Sequence, residues 1–430
     1  MASYKLTPSS FKGTILSQPS KSMAHRAVIC GALAKGESTI ENIVLSDDIK
    51  ATLRTMSAMG FSYALKESCL YPGRHQVVIQ SSGSPRMVEE EMDCGESGST
   101  ARFIMPITRL DAKKVRINGH GGLVKRPFGI YGELFGEKGV TYRDENGMMP
   151  ITLEGRLKPG IFTLPGNVSS QFVSGLLFAL PLLEGNSEIH ITGNLESVSY
   201  IHMTLTALNE AGIKVEASED CRLLKVPGNQ SYRSLNTRVE GDWSQAAFFC
   251  VLGVLHGSLR LTGLKKDSIQ GDRAIVSILE AMGGSFTWEG DALVIEKSSL
   301  KGIEIDVSQC PDLVPVLAVA GAMASGTTRI VNGARLRIKE SDRLMTTCRE
   351  LNRLGAKIEE LPDGLVIRGV EAFSGGEAES CGDHRIIMAL AVAASVGKGE
   401  VLLHGCEAVA KSYPEFWEDY ESLGGKRTDA

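Results

Sequence analysis

The sequence predicts an α/β protein built from six similar units that are divided between two domains. One pattern recurs about every 70 residues along the chain, and a period of this length is the signature of structural repeats. Each recurrence contains a polar helix cap, an apolar helix, a β-rich stretch and a second helix that ends near a glycine. A chain of 430 residues also exceeds what one hydrophobic core organises, so about two domains are expected.

The first helix of each unit is apolar on nearly every face, which is typical of a helix buried inside a protein. These helices have the sequences SKSMAHRAVICGALAKG, GSTARFIMPITRL, SSQFVSGLLFALPLLEG, DWSQAAFFCVLGVLHG, PDLVPVLAVAGAMASG and DHRIIMALAVAASVGKG. The strands that follow them include GESTIENI, AKKVRING, NSEIHITG, GSLRLTG, GTTRIVNG and GEVLLHG.

The second helices end at MSAMG, ELFGEKG, LNEAG, LEAMGG, LNRLG and ESLGG. A glycine there suits the left-handed conformation that closes many helices. Ordinary alternation of helix and strand is the simpler explanation of such a chain, but it does not explain the same order six times. The fourth unit begins near residues 239–242, so three units fall in each predicted domain.

The composition is that of an ordinary globular protein, with 43% hydrophobic and 23% charged residues. The formal net charge of -5 argues against a general nucleic-acid binder, whose footprint would be basic. The nine cysteines are scattered without a Cys-x-x-Cys pair, which suits a reducing compartment and predicts no metal site. The N-terminus lacks the apolar core of a signal peptide, and no apolar run is long enough to span a bilayer. A cytoplasmic protein without membrane contact is therefore expected.

The start of the first helix, residues 18–26, carries two cations where the helix dipole disfavours them. Ser20 or Ser22 can cap the helix, Lys21 lies in its first turn, and Arg26 follows Ser22 by one turn. A bound phosphate would explain the cations, because helix N-termini bind anions. A capped surface helix with two solvated charges explains them equally well from this stretch alone.

Polar residues also stand at the starts of other apolar helices: Ser169-Ser170-Gln171, Asp312 and Asp383-His384-Arg385. Each alone reads as an ordinary cap. Together they would direct several helix N-termini and cations at one place, which makes a positive cleft possible on an acidic protein.

Residues 95–102 form a Gly- and Ser-rich turn that enters a helix, where backbone N–H groups can approach a phosphate. The turn lacks the lysine of a P-loop, and no dinucleotide-binding fingerprint is present, so nucleotide binding is not predicted. Residues 121–127 place Lys125 and Arg126 on what reads as a flexible turn.

The densest charged cluster is residues 335–343. Ser341 is predicted to cap a helix that carries Arg343 in its first turn, so Lys339 and Glu340 fall just before that helix. A lysine beside a glutamate suits proton transfer, and arginine suits a bidentate grip on carboxylate or phosphate. A solvated mixed-charge surface is the alternative. Lys411 reads as a further anion ligand or as a surface lysine.

These motifs resemble the EPSP synthase family, the 3-phosphoshikimate 1-carboxyvinyltransferases, over essentially the whole chain. The resemblance is carried by Ser20-Lys21-Ser22 with Arg26, GESGSTAR, VSSQF, Pro311-Asp312, IKESDR and Asp383-His384-Arg385, in the family's order. It implies two domains, each of three βαβαββ units with helices enclosed by sheets, an inside-out α/β barrel. Residues 1–20 and 239–430 would form a lower domain and 21–238 an upper domain. The active site would lie in the cleft between them.

The resemblance also implies a role for each matching residue. Shikimate 3-phosphate would be bound by Lys21, Ser22, Arg26, Ser169, Ser170, Gln171, Ser197, Tyr200, Asp312 and Lys339. Phosphoenolpyruvate would be bound by Lys21, Gly98, Arg126, Gln171, Arg343, Arg385 and Lys411. The residues implied in catalysis are Asp312 as base and Glu340 as acid, with Lys21 and His384 beside them.

The reaction implied is addition of the 5-hydroxyl of shikimate 3-phosphate to phosphoenolpyruvate, followed by loss of phosphate. It needs no metal and no organic cofactor, and the family leads us to expect a monomer whose partners are these two small molecules. The rivals are an enolpyruvyl transferase acting on UDP-N-acetylglucosamine and a non-catalytic binder of organic phosphates. The first rival commonly has Lys-Asn at the first motif and a reactive cysteine in residues equivalent to 119–127, whereas Lys21-Ser22 and a loop without cysteine stand here.

Two positions depart from the family pattern. Glu96 stands where the motif usually has asparagine, so a carboxylate would lie near phosphoenolpyruvate unless it pairs or turns away. Arg335 stands where many members carry asparagine, so no role is assigned to it. Gly98 is retained where a side chain would crowd the glyphosate pocket, which leads us to expect inhibition by glyphosate, with Phe103 nearby.

Overall fold

A computed structural model describes residues 2–430 of the chain. The chain separates into two compact units. The split unit comprises the residues up to Ser20 together with Glu240–Ala430, and the continuous unit is Lys21–Val239. Val239, which the sequence analysis assigned to the other side of the boundary, lies in the continuous unit, because its backbone N–H donates to the carbonyl oxygen of Glu41 at 3.0 Å.

The first helix of each repeat is buried on nearly all sides. These helices are α1 (Lys21–Leu33), α3 (Gly98–Thr108), α5 (Ser170–Ala179), α7 (Trp243–His256), α9 (Val314–Ala322) and α11 (His384–Ser395). In two of them, α9 and α11, every residue is buried. The prediction of enclosed apolar helices is confirmed. The three buried helices of each unit pack together in the hydrophobic core of that unit.

The second helix of each repeat covers the outside of the core with one face. These helices are α2 (Asp47–Ala58), α4 (Gly129–Gly136), α6 (Val198–Glu210), α8 (Ala274–Ala281), α10 (Arg343–Arg353) and α12 (Phe416–Ser422). Gly60 and Gly424, which follow the first and the last of them, have φ of 86° and 112°, a conformation that favours glycine.

Each repeat also contributes one mixed sheet, in which parallel pairing at one edge is followed by two antiparallel pairings; the parallel edge of the first sheet is made by two short strands. In the continuous unit the sheet orders are β14 (Tyr232–Arg233), β3 (Ala34–Ile43), β5 (His75–Ser82), β4 (Ser62–Glu67), with β15 (Asn236–Arg238) also beside β3; β6 (Glu91–Asp93), β7 (Val115–Asn118), β9 (Met148–Glu154), β8 (Thr141–Glu145); and β10 (Ile161–Pro165), β11 (Ser187–Thr192), β13 (Leu223–Val226), β12 (Glu216–Ala217).

In the split unit the orders are β2 (Gly13–Leu16), β16 (Leu259–Thr262), β18 (Ala292–Glu296), β17 (Ser285–Glu289); β19 (Glu304–Asp306), β20 (Thr327–Val331), β22 (Gly364–Arg368), β21 (Lys357–Leu361); and β23 (Gly376–Glu379), β24 (Val401–His404), β1 (Ser3–Thr7), β25 (Lys426–Asp429). Three repeats are continuous βαβαββ runs. The other three take strands from elsewhere in the chain: β2 pairs with β16, β14 and β15 pair with β3, and β1 lies between β24 and β25.

Within residues 2–430, no helix is long and apolar enough to cross a membrane. The same residues contain no group of three or more histidine, cysteine, aspartate and glutamate side chains placed to hold a metal ion.

Candidate active site

The start of α1 lies in the continuous unit and is not a surface cap. The helix begins at Lys21, whose Nζ lies 2.7 Å from Oδ2 of Asp48. Both side chains are largely buried, and Asp48 belongs to the first turn of α2, which Ser46 caps. The reading of Lys21 as a solvated charge is therefore wrong. Asp48 was missed because an aspartate in the first turn of a helix is ordinary.

Arg26 is buried at the junction of three helices and also contradicts the solvated reading. Its guanidinium donates to Oγ1 of Thr204 at 2.9 Å, to the carbonyl oxygen of Ser22 at 2.7 Å and to that of Tyr200 at 3.0 Å. A weaker bond of 3.4 Å reaches Ser174. Burial lowers the pKa of Arg26 to about 10, so the group stays cationic at neutral pH. Arg26 thus holds the backbone at two other predicted ligands, Ser22 and Tyr200.

Ser197 precedes α6 in a strained conformation. Its φ of 53° and ψ of 45° are left-handed, and its side chain is buried although it makes no capping bond to the helix. A serine in this region costs about 1 kcal/mol or more and tends to occur at functional sites. Tyr200 follows in the first turn, with its ring centroid 5.9 Å from the guanidinium carbon of Arg26.

The start of α5 fixes the amide of Gln171. Ser169 caps the helix by accepting from the backbone N–H of Gln171 at 3.3 Å, as predicted, and Ser170 is buried beside it. Oε1 of Gln171 accepts from Nη1 of Arg102 at 2.8 Å, and its Nε2 donates to Oγ of Ser99 at 2.8 Å. The two bonds define which end of the amide is oxygen. Arg102 was missed as a site residue, although it ends the GESGSTAR motif.

The start of α3 combines helix N–H groups with two guanidinium groups. Ser97 caps the helix, so Gly98 is its first residue. A Cβ atom built at Gly98 would lie 2.5 Å from Nη1 of Arg126 and 3.0 Å from Nη1 of Arg102. Arg126 is buried and its neighbour Lys125 is exposed, so only one of the two cations predicted on this turn lies at the surface. Guanidinium groups against a helix N-terminus form an anion-binding arrangement.

Glu96, which departs from the family pattern, and Phe103, which lies near Gly98 in the sequence, are placed in different ways. The carboxylate of Glu96 accepts from the backbone N–H of Gly122 at 3.2 Å and lies 3.8 Å from Nδ1 of His120, so it turns to the neighbouring loop. Phe103 is fully buried and packs edge-to-face on Phe178 with ring centroids 5.5 Å apart. Phe103 is thus a core residue.

In the split unit, Asp312 lies among three cations. Its Oδ1 is 2.7 Å from Nη1 of Arg343 and 3.3 Å from Nζ of Lys339, and its Oδ2 is 3.2 Å from Nη2 of Arg385. Burial alone would raise the pKa of Asp312, but the three cations hold it well below its ordinary value. Asp312 occupies a 3₁₀ turn, Pro311–Leu313, immediately before α9.

Arg343 is the centre of the same cluster, with only 1% of its side chain exposed. Besides Asp312, it contacts Oε2 of Glu340 at 2.7 Å and Oδ2 of Asp383 at 2.8 Å. Burial opposes its charge, but the three carboxylates raise the pKa of Arg343 above its ordinary value. The solvated-surface alternative is therefore wrong for this arginine.

Asp342, not Ser341, caps α10, which corrects the sequence prediction. Oδ1 of Asp342 accepts from the backbone N–H of Met345 at 3.1 Å. Arg343 is the first helical residue, so the cap falls one position later than predicted. The hydroxyl of Ser341 instead donates to Oδ2 of Asp383 at 3.1 Å. Asp383 in turn caps α11 by accepting from the backbone N–H of Arg385.

Two further predicted ligands of this unit, His384 and Lys411, are also shielded from water. His384 is fully buried, with Nδ1 3.8 Å from Oδ1 of Asp383. Lys411 is buried at the end of a 3₁₀ turn, which contradicts the surface-lysine reading. Burial lowers the pKa of Lys339 to about 8. Arg335, which was given no role, is buried and donates to the carbonyl oxygen of Ser308 at 3.3 Å.

Asp272 is a second buried carboxylate near this cluster and was not predicted. It accepts a hydrogen bond from the hydroxyl of Ser244, and burial together with the charge of Asp312 raises its pKa to about 6. Asp272 lies in a short Gly-Asp-Arg turn, and nothing in the sequence distinguishes such a turn from an exposed one.

Solved structures of one class of protein, the EPSP synthases, have the same fold as this chain. An EPSP synthase from Acinetobacter baumannii, solved at 2.37 Å, superposes with a TM-score of 0.82 at 26% identity, covering 100% of both chains. A second structure of EPSP synthase from Acinetobacter baumannii gives 0.81 at 25% identity over the same coverage. The fold predicted in the sequence analysis is thereby confirmed.

Sequence comparison identifies the family. The sequence model of the family EPSP synthase (3-phosphoshikimate 1-carboxyvinyltransferase) matches residues 6–420 of this chain. A 3-phosphoshikimate 1-carboxyvinyltransferase of Clostridium acetobutylicum is 47% identical over 425 residues, which is 98% of this chain and 97% of that protein. One of Clostridium perfringens is 46% identical over 421 residues, 98% of each. The chain belongs to the EPSP synthase family.

Proposed function

We infer that this protein transfers the enolpyruvyl group of phosphoenolpyruvate to the 5-hydroxyl of shikimate 3-phosphate and releases phosphate. The product is 5-enolpyruvylshikimate 3-phosphate, a precursor in aromatic amino-acid biosynthesis. Family membership carries the reaction. The observation that best supports acid–base chemistry in this chain is the pairing of Asp312 and Glu340 with one buried guanidinium, that of Arg343.

Shikimate 3-phosphate is assigned mainly to residues of the continuous unit. These are Lys21, Ser22, Arg26, Ser169, Ser170, Gln171, Ser197 and Tyr200. Their support is that each lies at or within two turns of the N-terminus of α1, α5 or α6, where N–H groups favour a phosphate. Asp312 and Lys339 of the split unit are assigned to the ring hydroxyls.

Phosphoenolpyruvate is assigned to Lys21, Gly98, Arg126, Gln171, Arg343, Arg385 and Lys411. Arginine offers two parallel N–H groups to carboxylate or phosphate, which fixes the orientation of the ligand as well as binding it. The absence of a side chain at Gly98 supports the assignment, since a Cβ there would displace the guanidinium of Arg126.

The reaction proceeds by addition and elimination. The 5-hydroxyl oxygen attacks C2 of phosphoenolpyruvate and loses its proton to Asp312, while the π electrons of C2–C3 take a proton at C3 from Glu340. In the tetrahedral intermediate the C2–O bond to phosphate then breaks with its electron pair. C3 returns a proton, and the double bond forms again. Lys21 and His384 are assigned beside these groups, and holding both anions in one alignment supplies much of the rate.

Asp312 is a weak base while three cations hold its pKa low. A bound carboxylate or phosphate group would compete for the guanidinium groups of Arg343 and Arg385. Each cation that turns to the ligand leaves Asp312 more basic, because an opposite charge nearby is what favours its ionised form. The substrate is thereby expected to activate its own base.

A phosphate-release assay tests the reaction. The purified protein with shikimate 3-phosphate and phosphoenolpyruvate is expected to release one phosphate per enolpyruvyl ether formed, as counted by mass spectrometry of the product. Replacing shikimate 3-phosphate with UDP-N-acetylglucosamine should release none, which separates the sister reaction. Tight binding of both anions without phosphate release would instead support a non-catalytic binder. Glyphosate is expected to inhibit the reaction, because Gly98 is retained.

The prediction of a cytoplasmic monomer that binds neither nucleic acid nor membranes is kept as a proposal. Light scattering of the purified protein would test its oligomeric part. A mass near 46.2 kDa is expected, and twice that value would contradict it.

A further inference from the structure

A cavity of about 650 Å³ lies in the continuous unit, next to the C-terminal ends of its three buried helices. The predicted substrate ligands lie near the opposite, N-terminal ends of these helices. Leu33 ends α1, Leu110 follows α3, and Leu182 and Leu183 follow α5, and all four line the cavity. The thirteen residues of α1 place Lys21 about 20 Å from this end. A volume of this size lies within the range of small-molecule sites, about 300–1,000 Å³.

The charged side chains that line the cavity are three cations and one carboxylate. The cations are Lys35, Arg156 and Lys158, and the carboxylate belongs to Glu184. None of these four side chains forms an ion pair with any residue of the described range 2–430, and all four are exposed. Nε of Arg156 donates to the carbonyl oxygen of Leu110 at 3.0 Å, which holds this guanidinium at the rim.

The walls between the cations are partly apolar. Besides the four leucines at the helix ends, the lining includes Leu157, Pro85, Pro159 and Tyr232. The phenol of Tyr232 donates to the carbonyl oxygen of Phe178 at 2.8 Å, so this ring presents carbon to the cavity. The polar residues Ser82, Ser84, Gln230 and Ser231 belong to the same lining.

We propose that this cavity is a second ligand site, which binds a small organic anion made of an apolar body and a carboxylate, phosphate or sulfonate group. Helix C-termini carry partial negative charge, so an anion approaching three of them needs cations to offset it. Lys35, Arg156 and Lys158 supply that offset, and the leucine and proline walls remove the apolar body from water. A metal cation is disfavoured here by the same three positive charges.

The test uses 8-anilinonaphthalene-1-sulfonate, an aromatic sulfonate whose fluorescence rises in apolar surroundings, with the full chain. One saturable class of binding is expected, and it should persist with saturating shikimate 3-phosphate. Lys35→Glu/Lys158→Glu should weaken it at least tenfold with unchanged turnover, which shows that the variant is folded. N-phenyl-1-naphthylamine, which lacks the sulfonate, should bind at least tenfold more weakly.

The matched control is Lys66→Glu/Lys114→Glu, which makes the same change in net charge at two exposed lysines outside the cavity. Its affinity for the probe should stay within twofold of the unchanged protein. A crystal grown with the probe should show the sulfonate among the three cations. Displacement by shikimate 3-phosphate, equal loss in both double variants, or unchanged affinity in Lys35→Glu/Lys158→Glu would each overturn the proposal.

Discussion

Arg343 shows how the charged residues of the split unit act as one group. Its guanidinium contacts Asp312, Glu340 and Asp383, while Asp312 also contacts Lys339 and Arg385. Three cations and three carboxylates thus share one largely buried cluster. Charges of opposite sign keep each other ionised at low solvent exposure, so the cluster is arranged before any substrate arrives.

Replacing Asp312 by asparagine is expected to lower kcat about 10³-fold, because general-base catalysis contributes about 10²–10⁴-fold. The change keeps the shape of the side chain but removes the proton acceptor. The matched control is Asp306→Asn, an exposed aspartate of the same unit that bonds Ser308 and Asn332, and it should stay within twofold. Steady-state kinetics at saturating substrates measures both. A loss under tenfold for Asp312→Asn would contradict its role as base.

The low pKa of Lys339 predicts a pH dependence of substrate capture. Burial lowers this pKa to about 8, so the ammonium group is present below pH 8 and is lost as the pH rises through that value. If the ammonium binds a ring hydroxyl, kcat/KM for shikimate 3-phosphate falls about tenfold per pH unit above pH 8, because kcat/KM reports the free protein. In Lys339→Arg the side chain stays positively charged over this pH range, so the fall in kcat/KM should begin only above pH 10. A flat profile to pH 9.5 in the unchanged protein would exclude the role.

Many of the candidate site residues that the sequence predicted stand at helix starts, and the candidates that it did not predict are those that depend on contacts distant in the chain. Ser169 and Asp383 were recognisable because caps have a local signature. Asp48, Arg102 and Asp272 have none, since their importance comes from Lys21, Gln171 and Asp312, which lie 27, 69 and 40 residues away. Such contacts follow only from the packing of helices that are distant in the chain, within one repeat for Lys21 and Asp48 and between repeats for the other two pairs.

At the scale of elements, the chain passes between the two units at residues 20–21 and 239–240, and the ends on the split-unit side are joined to each other. Pro19 and Gly241 form an antiparallel bridge, and the backbone N–H of Ser20 donates to the carbonyl oxygen of Glu240 at 2.7 Å. Gln270 holds both segments. Its Oε1 accepts from Oγ of Ser20 and the backbone N–H of Trp243, each at 3.1 Å.

The amide nitrogen of Gln270 makes two further hydrogen bonds. We call the bonds of this side chain to the two segments the Gln270 clamp, and we expect its loss on mutation to lower the stability of the protein. Nε2 donates to Oε1 of Glu240 at 2.6 Å and to the carbonyl oxygen of Gly241 at 2.8 Å. Gln270→Leu leaves the carbonyl oxygen of Gly241 and the backbone N–H of Trp243 without this partner, which costs about 1–3 kcal/mol for each group that water cannot reach. A loss of about 3 kcal/mol in the free energy of unfolding is expected from urea denaturation.

Gln245 in the same unit provides the matched contrast. It is 1% exposed, and neither its amide oxygen nor its amide nitrogen has a hydrogen-bond partner within residues 2–430. Gln245→Leu removes two buried unsatisfied groups without removing a bond, so the free energy of unfolding should stay equal or rise by about 1 kcal/mol. Equal losses in Gln270→Leu and Gln245→Leu would contradict the account of the clamp.

At the scale of the whole molecule, the periodicity of the sequence predicted six repeats. It did not predict which strands complete the sheet of each repeat. The order of helix and strand is local, so caps, apolar runs and terminal glycines reveal it. The partners of β16 and β3 are not local, since β2 comes from the N-terminus and β14 and β15 from the end of the continuous unit. From the residues alone the pattern predicted three repeats per domain. It did not predict that the fourth repeat takes its first strand from residues 13–16, which follows from strand pairing.

The continuity of residues 21–239 leads to a last prediction. This segment contains three complete sheets, including the strands that close the first of them, and a hydrophobic core of its own. Expressed alone, it should fold cooperatively, because no strand of its sheets comes from outside it. The split unit lacks this property, since its first 20 residues supply β1 and β2.

The isolated segment should also bind shikimate 3-phosphate without any turnover. Eight of the proposed ligands lie within it, whereas Asp312, Glu340 and Lys339 do not, so an affinity reduced about 10–100-fold is expected, equivalent to about 1.4–2.8 kcal/mol. Isothermal titration measures this, and Arg26→Met in the same segment should abolish binding. The control Arg222→Met alters an exposed arginine that pairs only locally with Asp220 and should leave affinity unchanged. A folded segment with no affinity for shikimate 3-phosphate would show that the assignment of its ligands is wrong, because folding and binding are read separately by its melting curve and its titration.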